Sequence, residues 1–354
     1  MLTVFSIEVN AQGRGGKAIL RNVSSGLFWG AGNNGGTRAS LLPYSEWQTL
    51  HWNASNNTYT LESQVSKGGD NFYFDGEYMD GQPVALTLTQ KSSGYYTISN
   101  GDKYYGYSAE PGSYFGSYIL GKNLSSSSTH ALWEIIWENE EDDYWDRAST
   151  NTPIDVTYCI QNPNFGRNNR NTLAWVMDAA NQNLCGGSDD NKCAESWQSA
   201  FTLSQTLRGM PNGIYCLTAQ AALTDYTNIY DGYEYPVVYA NDEMTPFNNM
   251  QGSDVGSNMN TLSISLAAGH YQVAPIYFIV NNGRITIGVR GTRTDTWCIW
   301  DNFRLNYCGP NVSVAISDAT VPLPKQTVYN LNGQQVNVPD KGLYISNGRK
   351  VIIR

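Results

Sequence analysis

Charge and histidine are scarce in this chain. Charged residues make up 15 % of its 354 positions, and His occurs three times, at His51, His130 and His270. Nucleophilic catalysis needs a base held beside the nucleophile. Three scattered His and no Gly-x-Ser-x-Gly elbow give no readable triad. Gly-rich loops of the phosphate-cradling kind before a helix are absent as well. No Cys-x-x-Cys pair occurs, which together with the shortage of His argues against a zinc site. No apolar run is long enough to span a bilayer as a helix, so membrane insertion is not expected. There is no basic patch and the net charge is −9, which makes nucleic acid and anionic membranes poor partners.

What the chain does have is aromatic surface. Phe, Trp and Tyr reach 12 %, mostly as Tyr, among many Asn, Ser, Thr and Gly. That mixture suits short strands and long polar loops, and hence an all-β fold. It suits recognition of polyhydroxylated ligands, because Tyr and Trp pair a flat apolar face with a polar tip. It equally suits an ordinary β-rich surface. The six cysteines, Cys159, Cys185, Cys193, Cys216, Cys298 and Cys308, all lie in the second half. An even count in such a chain fits export and disulfides. Cys185–Cys193 is the expected pair, closing the short polar loop CGGSDDNKC; buried thiols are the alternative for the other four. Residues 1–11, MLTVFSIEVNA, read either as the tail of a signal peptide with a Val9-x-Ala11 cleavage pattern or as a first strand.

Three stretches share one phrase. AILRNVSSGLFWG from 18, YTLESQVSKGGDNFYF from 59 and YYTISNGDKYYGY from 95 each read strand, turn, strand. Leu20, Leu61 and Ile98 align as first-strand positions, and Phe28, Phe72 and Tyr104 as second-strand positions. Trp47, Leu86 and Trp133 close the units, giving a repeat of about 40 residues. No such unit can bury its apolar face alone, so the three must share a core. Residues 12–138 resemble the ricin-type β-trefoil lectins, whose units have this length and end in Gln-x-Trp. Here that signature stands as Ser45-Glu46-Trp47, Val84-Ala85-Leu86 and Ala131-Leu132-Trp133. The resemblance implies that Trp47 and Trp133 plug the common core. It also implies a sugar site in the second unit, from Asp70, Tyr73 and Asp75.

The run ENEEDDYWDRASTNTP, expected as a solvated acidic linker over 139–153, leads to different text. Phe201, Leu203 and Leu207 alternate as a strand, Met210-Pro211-Asn212-Gly213 turns, and Ile214 to Ala219 returns as another. With Asn162-Pro163-Asn164-Phe165 at the start and Trp300-Asp301-Asn302-Phe303-Arg304-Leu305 in the last strand, residues 154–309 resemble the galactose-binding-like jelly rolls. These serve as carbohydrate-binding modules in bacterial glycan-degrading proteins. The resemblance implies a β-sandwich and, in many members, a structural calcium ion held in part by an Asp of the final strand, here Asp301. Gly166 stands where an acidic partner would be expected. No other cofactor is expected.

The loop DYTNIYDGYEYPVVYANDE over 225–243 gathers Tyr230, Tyr233 and Tyr235 with Asp231 and Glu234. The rings could stack on sugars while the carboxylates accept hydroxyl hydrogen bonds; the alternative is a loop that folds back over a sheet face. The tail 310–354 reads as short β runs, Val328–Leu331, Gln335–Val338, Gly342–Ser346 and Lys350–Ile353. It resembles the C-terminal sorting domain of bacterial type IX secretion. The expected function is a secreted or cell-surface, non-catalytic protein that binds a glycan or polysaccharide. Two alternatives stand beside it: a glycoside hydrolase with its site in the jelly roll, and an adhesive surface protein that binds another protein.

Overall fold

The computed structural model describes residues 13–33, 37–63, 73–113, 116–165, 175–188, 192–224, 235–292 and 294–311, and further on the strands at 328–329, 335–336, 342–346 and 349–353. It is all-β. The chain divides into two compact units after Asn311. The first unit contains two lobes, a closed barrel and a sandwich.

The barrel lobe is built from β1 (Gly16–Asn22), β2 (Phe28–Asn33), β3 (Arg38–Leu42), β4 (Gln48–Asn53), β5 (Thr58–Ser63), β6 (Thr87–Gln90), β7 (Tyr96–Asn100), β8 (Lys103–Pro111), β9 (Tyr118–Leu124) and β10 (Leu132–Trp137). The order is β10-β7-β8-β9-β3-β2-β1-β4-β5, and β10 pairs back onto β1, from Ala18↔Trp137 to Asn22↔Trp133. That last pairing closes a ring and removes two exposed edges. The repeat positions Leu20, Leu61 and Ile98 all lie in the barrel interior, with Leu86 and Trp133. At their centre Trp29 meets Phe74 edge-on at 5.0 Å, Trp133 at 5.1 Å and Tyr105 at 5.9 Å. The two indoles are also satisfied: Trp133 Nε1 donates to the Tyr105 carbonyl at 3.0 Å, and Trp29 Nε1 points at the Met79 sulfur at 3.4 Å.

Trp47 departs from expectation. It is not in the barrel core. Its neighbour Gln48 takes the inward position at the start of β4 and donates to the Trp29 carbonyl at 3.2 Å. Successive strand residues face opposite ways, so Trp47 points outward and packs on Tyr158 of the other lobe at 4.8 Å. The same alternation runs through β1. Ala18 and Leu20 fill the barrel, while Ile19 between them joins the apolar cluster of the sandwich with Phe28 and Ile136.

The run expected as a solvated linker is folded. A short 3₁₀ turn over Glu138–Glu140 leads into α1 (Glu141–Trp145). Tyr144 and Trp145 are buried, and Trp145 meets Tyr307 at 5.0 Å. The acidic residues take the outer side of the turn and the two aromatics the inner side, which a count of charges along the sequence does not separate.

The sandwich lobe contains β11 (Ile154–Asp155), β12 (Val176–Ala179), β13 (Gln182–Gly186), β14 (Cys193–Trp197), β15 (Phe201–Arg208), β16 (Gly213–Leu223), β17 (Val237–Ala240), β18 (Glu243–Pro246), β19 (Asn248–Asn249), α2 (Met259–Ala267), β20 (Ile276–Val280), β21 (Arg284–Gly291) and β22 (Trp297–Tyr307). One sheet runs β13-β14-β22-β16-β19, with β11 on β22 and β20 on β16; the other runs β12-β15-β21-β17-β18. The turn after β15 therefore carries the chain from one sheet to the other. Between the sheets Phe201 stacks on Trp300 at 5.1 Å, and within the first sheet Tyr215 stacks on its cross-strand partner Phe278 at 5.8 Å. Helix α2 starts at Asn258, whose side chain accepts from Thr261 N, and lays Leu262 and Leu266 against Ala222, Trp297 and Ile299.

The lobes are joined by a half-buried carboxylate. Asp155 Oδ1 accepts from Ser45 N at 2.8 Å, from the Ser45 hydroxyl and from Thr157 N at 3.2 Å; Oδ2 accepts from the Thr157 hydroxyl at 3.0 Å. Beside it the Arg304 guanidinium lies 3.6 Å over the Tyr44 ring, and Asn164 donates to the Tyr44 hydroxyl.

The second unit is an antiparallel sheet of β23 (Val328–Tyr329), β24 (Gln335–Val336), β25 (Gly342–Ser346) and β26 (Arg349–Ile353), ordered β24-β23-β25-β26. Among the described residues no disulfide is formed: Cys159, Cys216 and Cys308 are thiols, and Cys193 Sγ donates to the Gly186 carbonyl at 3.8 Å. The side chain of Cys185, the expected partner of Cys193, lies outside the described residues. No helix among those described is long and apolar enough to cross a membrane.

Two outcomes follow from this packing. Trp29→Ala opens a cavity that three aromatic neighbours cannot fill and should cost about 3–5 kcal/mol in denaturant unfolding, far more than Trp47→Ala. Asp155→Ala strands the donors of Ser45 and Thr157 and should cost about 3 kcal/mol. Its unfolding curve should separate into two steps, one for each lobe; a single unchanged transition would count against the carboxylate as the joint.

Candidate functional site

The expected site residues fall in three places. Tyr230, Asp231, Tyr233 and Glu234 lie outside the described residues, as does Asp70. Tyr235, the last of the expected stacking rings of that loop, is half-buried against the sandwich core, and its hydroxyl donates to Asn249 Oδ1 at 3.2 Å. Tyr73 and Asp75 lie in the barrel lobe, apart from Tyr235. Tyr73 is held by backbone bridges to Glu62 and Gly81, its ring 5.9 Å from that of His51. Asp75 Oδ1 accepts from Glu77 N at 2.8 Å and Tyr78 N at 2.7 Å, so it closes a turn. It also borders a cleft of about 440 Å³ with Asn100, Lys103 and Lys122. Next to it Glu77 is held below the usual carboxylate range, chiefly by its hydrogen bond from Lys122 at 2.9 Å.

Tyr235 leads to a site that the sequence did not single out. Asn249 belongs to the rim of an open cleft of about 680 Å³ on the sandwich lobe. Its wall comes from the short strand β19 and the turn Gly252–Asp254 after it, and from the C-terminal end of α2 with His270 and Tyr271 a few residues beyond. Asp254 is buried at its base. One carboxylate oxygen accepts from the Ser265 hydroxyl at 2.9 Å, the other from the Tyr271 hydroxyl at 2.7 Å. Tyr271 OH in turn accepts from Gln251 N at 3.1 Å. Burial, reinforced by the bond to Asp254, pushes the Tyr271 phenol above its usual range. Tyr271 also takes a positive φ of 60°, an uncommon conformation for a side chain of this size. Gln220 fixes the end of α2 from below, donating to the carbonyls of Leu266 and His270, both at 2.6 Å.

Around this fixed base the exposed rim is amide and imidazole: Asn249, Gln251, His270 and Gln272. Asp254 is the single carboxylate of the lining among the described residues. Such a rim offers donors and acceptors without net charge, which fits a neutral, hydroxyl-rich ligand. The residues stand on both sides of α2, and no local motif joins Asn249 to Tyr271; the one pointer in sequence was the neighbouring Tyr loop. A second unmarked aromatic, Trp197, is half-exposed and packs on Trp297 at 5.8 Å.

Asp301 is buried and accepts from Asn302 N at 2.7 Å. The oxygens nearby converge on a guanidinium: Arg304 donates to Asn164 Oδ1, to Asn302 Oδ1 at 2.7 Å and to the Phe303 carbonyl at 2.7 Å. Calcium takes six or more oxygens. Among the described residues no group of three or more His, Cys, Asp or Glu could hold a metal. A fixed positive charge on the adjoining oxygens opposes a second cation, so these donors do not fit calcium.

No protein-family model matches the chain, and no curated protein matches it. Solved structures with some similarity include TmCBM61 in complex with β-1,4-galactotriose, at 16 % identity over 41 % of this chain and 95 % of that one, with a TM-score of 0.24. An exo-β-1,3-galactanase from Phanerochaete chrysosporium, solved with β-1,3-galactotriose, shares 10 % identity over 82 % of this chain and 80 % of its own, with a TM-score of 0.23. The insecticidal crystal protein CRY2AA shares 11 % identity over 81 % of this chain and 51 % of its own, with a TM-score of 0.20. Scores this low carry no argument about fold or ligand.

Tyr271→Phe removes one hydroxyl that serves both Asp254 and the Gln251 amide. It should cost about 1–3 kcal/mol and speed hydrogen exchange at the Gln251 amide, with the rest of the sandwich unchanged. Equal exchange in both proteins would show that the phenol does not hold the cleft floor.

Proposed function

We propose that this chain is a non-catalytic carbohydrate-binding protein and that the cleft between β19 and the end of α2 receives a neutral glycan. One observation carries the reading. A rim of amides and imidazole surrounds a base in which the single carboxylate is already committed to two hydroxyls. The hydrogen bond from Tyr235 to Asn249 adds an aromatic to the edge of that rim. Glycoside hydrolysis needs two carboxyl groups across the scissile bond; among the described residues of the lining, Asp254 is the one carboxylate. Secretion from residues 1–11, a trefoil reading of the barrel, a jelly-roll reading of the sandwich, and surface sorting through the tail belong to the same proposal. They rest on the repeat and motif resemblances.

A glycan microarray with the full chain tests it. The parent protein should be retained on a set of neutral glycans. Asn249→Ala with Gln272→Ala should weaken retention by about tenfold or more at an unchanged melting temperature, and Tyr230→Ala with Tyr233→Ala likewise. A protein that ignores every glycan while binding another polypeptide would replace this reading with the adhesive one.

A further inference from the structure

A second cleft, of about 690 Å³, opens at the seam between the two lobes. One wall is Trp47, turned out of the barrel by the strand alternation described above and half-exposed. Behind it stands Tyr158, 9 % exposed, whose hydroxyl has no hydrogen-bond partner of acceptable geometry; the Cys159 sulfur beside it is a weak one at best. The charged groups come from three segments: Lys17 from β1, Glu138 and Glu141 from the folded acidic turn, and Arg208 from the end of β15. Lys17 pairs with Glu138 at 3.3 Å. Glu141 and Arg208 form no ion pair among the described residues and border the same cavity.

Two anions against two cations leave the cleft without net charge, which disfavours an ion as its occupant. A flat apolar ring, a buried phenol with only a sulfur beside it, one carboxylate and one guanidinium instead match the two aspects of a sugar. The ring accepts a C–H face, and the charged pair takes neighbouring hydroxyls in charge-assisted hydrogen bonds. We propose that this seam is a second saccharide site, with Trp47 as its stacking platform, Tyr158 as a hydroxyl partner, and Glu141 and Arg208 as polar anchors. It shares with the proposed function the premise that the ligand is a glycan, but uses none of the same residues. Two sites on one compact unit let a single polysaccharide chain be held twice, which raises retention well above that of either site.

Hydrogen exchange of the full chain, with and without millimolar β-1,4-galactotriose, cellotriose or mannotriose, reads the two clefts separately. At least one of these probes should protect residues 45–49 and 157–161 as well as 248–254. Arg208→Ala, an exposed change, and Tyr158→Phe, which removes one oxygen, should each weaken binding at the seam by about tenfold and leave protection over 248–254 as it was. Trp47→Ala should abolish the seam signal. Protection confined to 248–254 overturns the seam site and leaves the proposed function standing. Protection confined to the seam overturns the first cleft. Protection in neither with any probe overturns both.

Discussion

Asp155 is the constraint on which the architecture of the larger unit depends. Its carboxylate is half-buried at the seam and gathers donors from Ser45 on one lobe and Thr157 on the other. A carboxylate drawn partly out of water loses stability with each hydrogen bond it lacks, so the barrel's unit-closing segment and the first strand of the sandwich must stay in register. That register sets Trp47 against Tyr158 and brings the acidic turn over the seam. The apolar continuity of Ile19, Phe28 and Ile136 with the sandwich core then follows, because the outer face of β1, β2 and β10 has nowhere else to go. The two lobes fall within one compact unit.

The sandwich separates rigidity from recognition. Its interior is dense with stacked rings such as Phe201 on Trp300, and Gln220 reaches from that interior to hold the last turn of α2. The polar cleft sits outside this frame, on a short strand and two helix-flanking turns. Asp254 makes the loops rigid by binding Ser265 and Tyr271 together. A preformed rim loses little entropy on binding, and this lets a shallow site hold a weakly hydrophobic ligand. The proposed seam site instead uses Trp47, which points out of the barrel onto Tyr158.

Arg304 illustrates how one residue changes the chemistry of a motif. The strand that carries Asp301 would suit a cation if its neighbours supplied only oxygens. Instead a guanidinium occupies the middle of those oxygens, stacks on Tyr44 and ties the sandwich to the barrel. The positive charge is built into the chain.

Period-two alternation, turn residues and a triple repeat were enough to read an all-β chain from its letters, with Leu20, Leu61, Ile98 and Trp133 at the core. These are local signals, and strands obey them wherever they end up. Three things were decided only by the tertiary structure. Trp47 left the core because Gln48, one residue on, took the inward place, and no composition rule ranks Trp below Gln. The acidic run buried Tyr144 and Trp145 because one helical turn sorts its residues by angle, a sorting that a linear charge count averages away. The cleft around Asp254 arose from residues some twenty positions apart, brought together by a helix docked on a sheet, and pairing over that distance is specified by packing, not by any neighbouring residue.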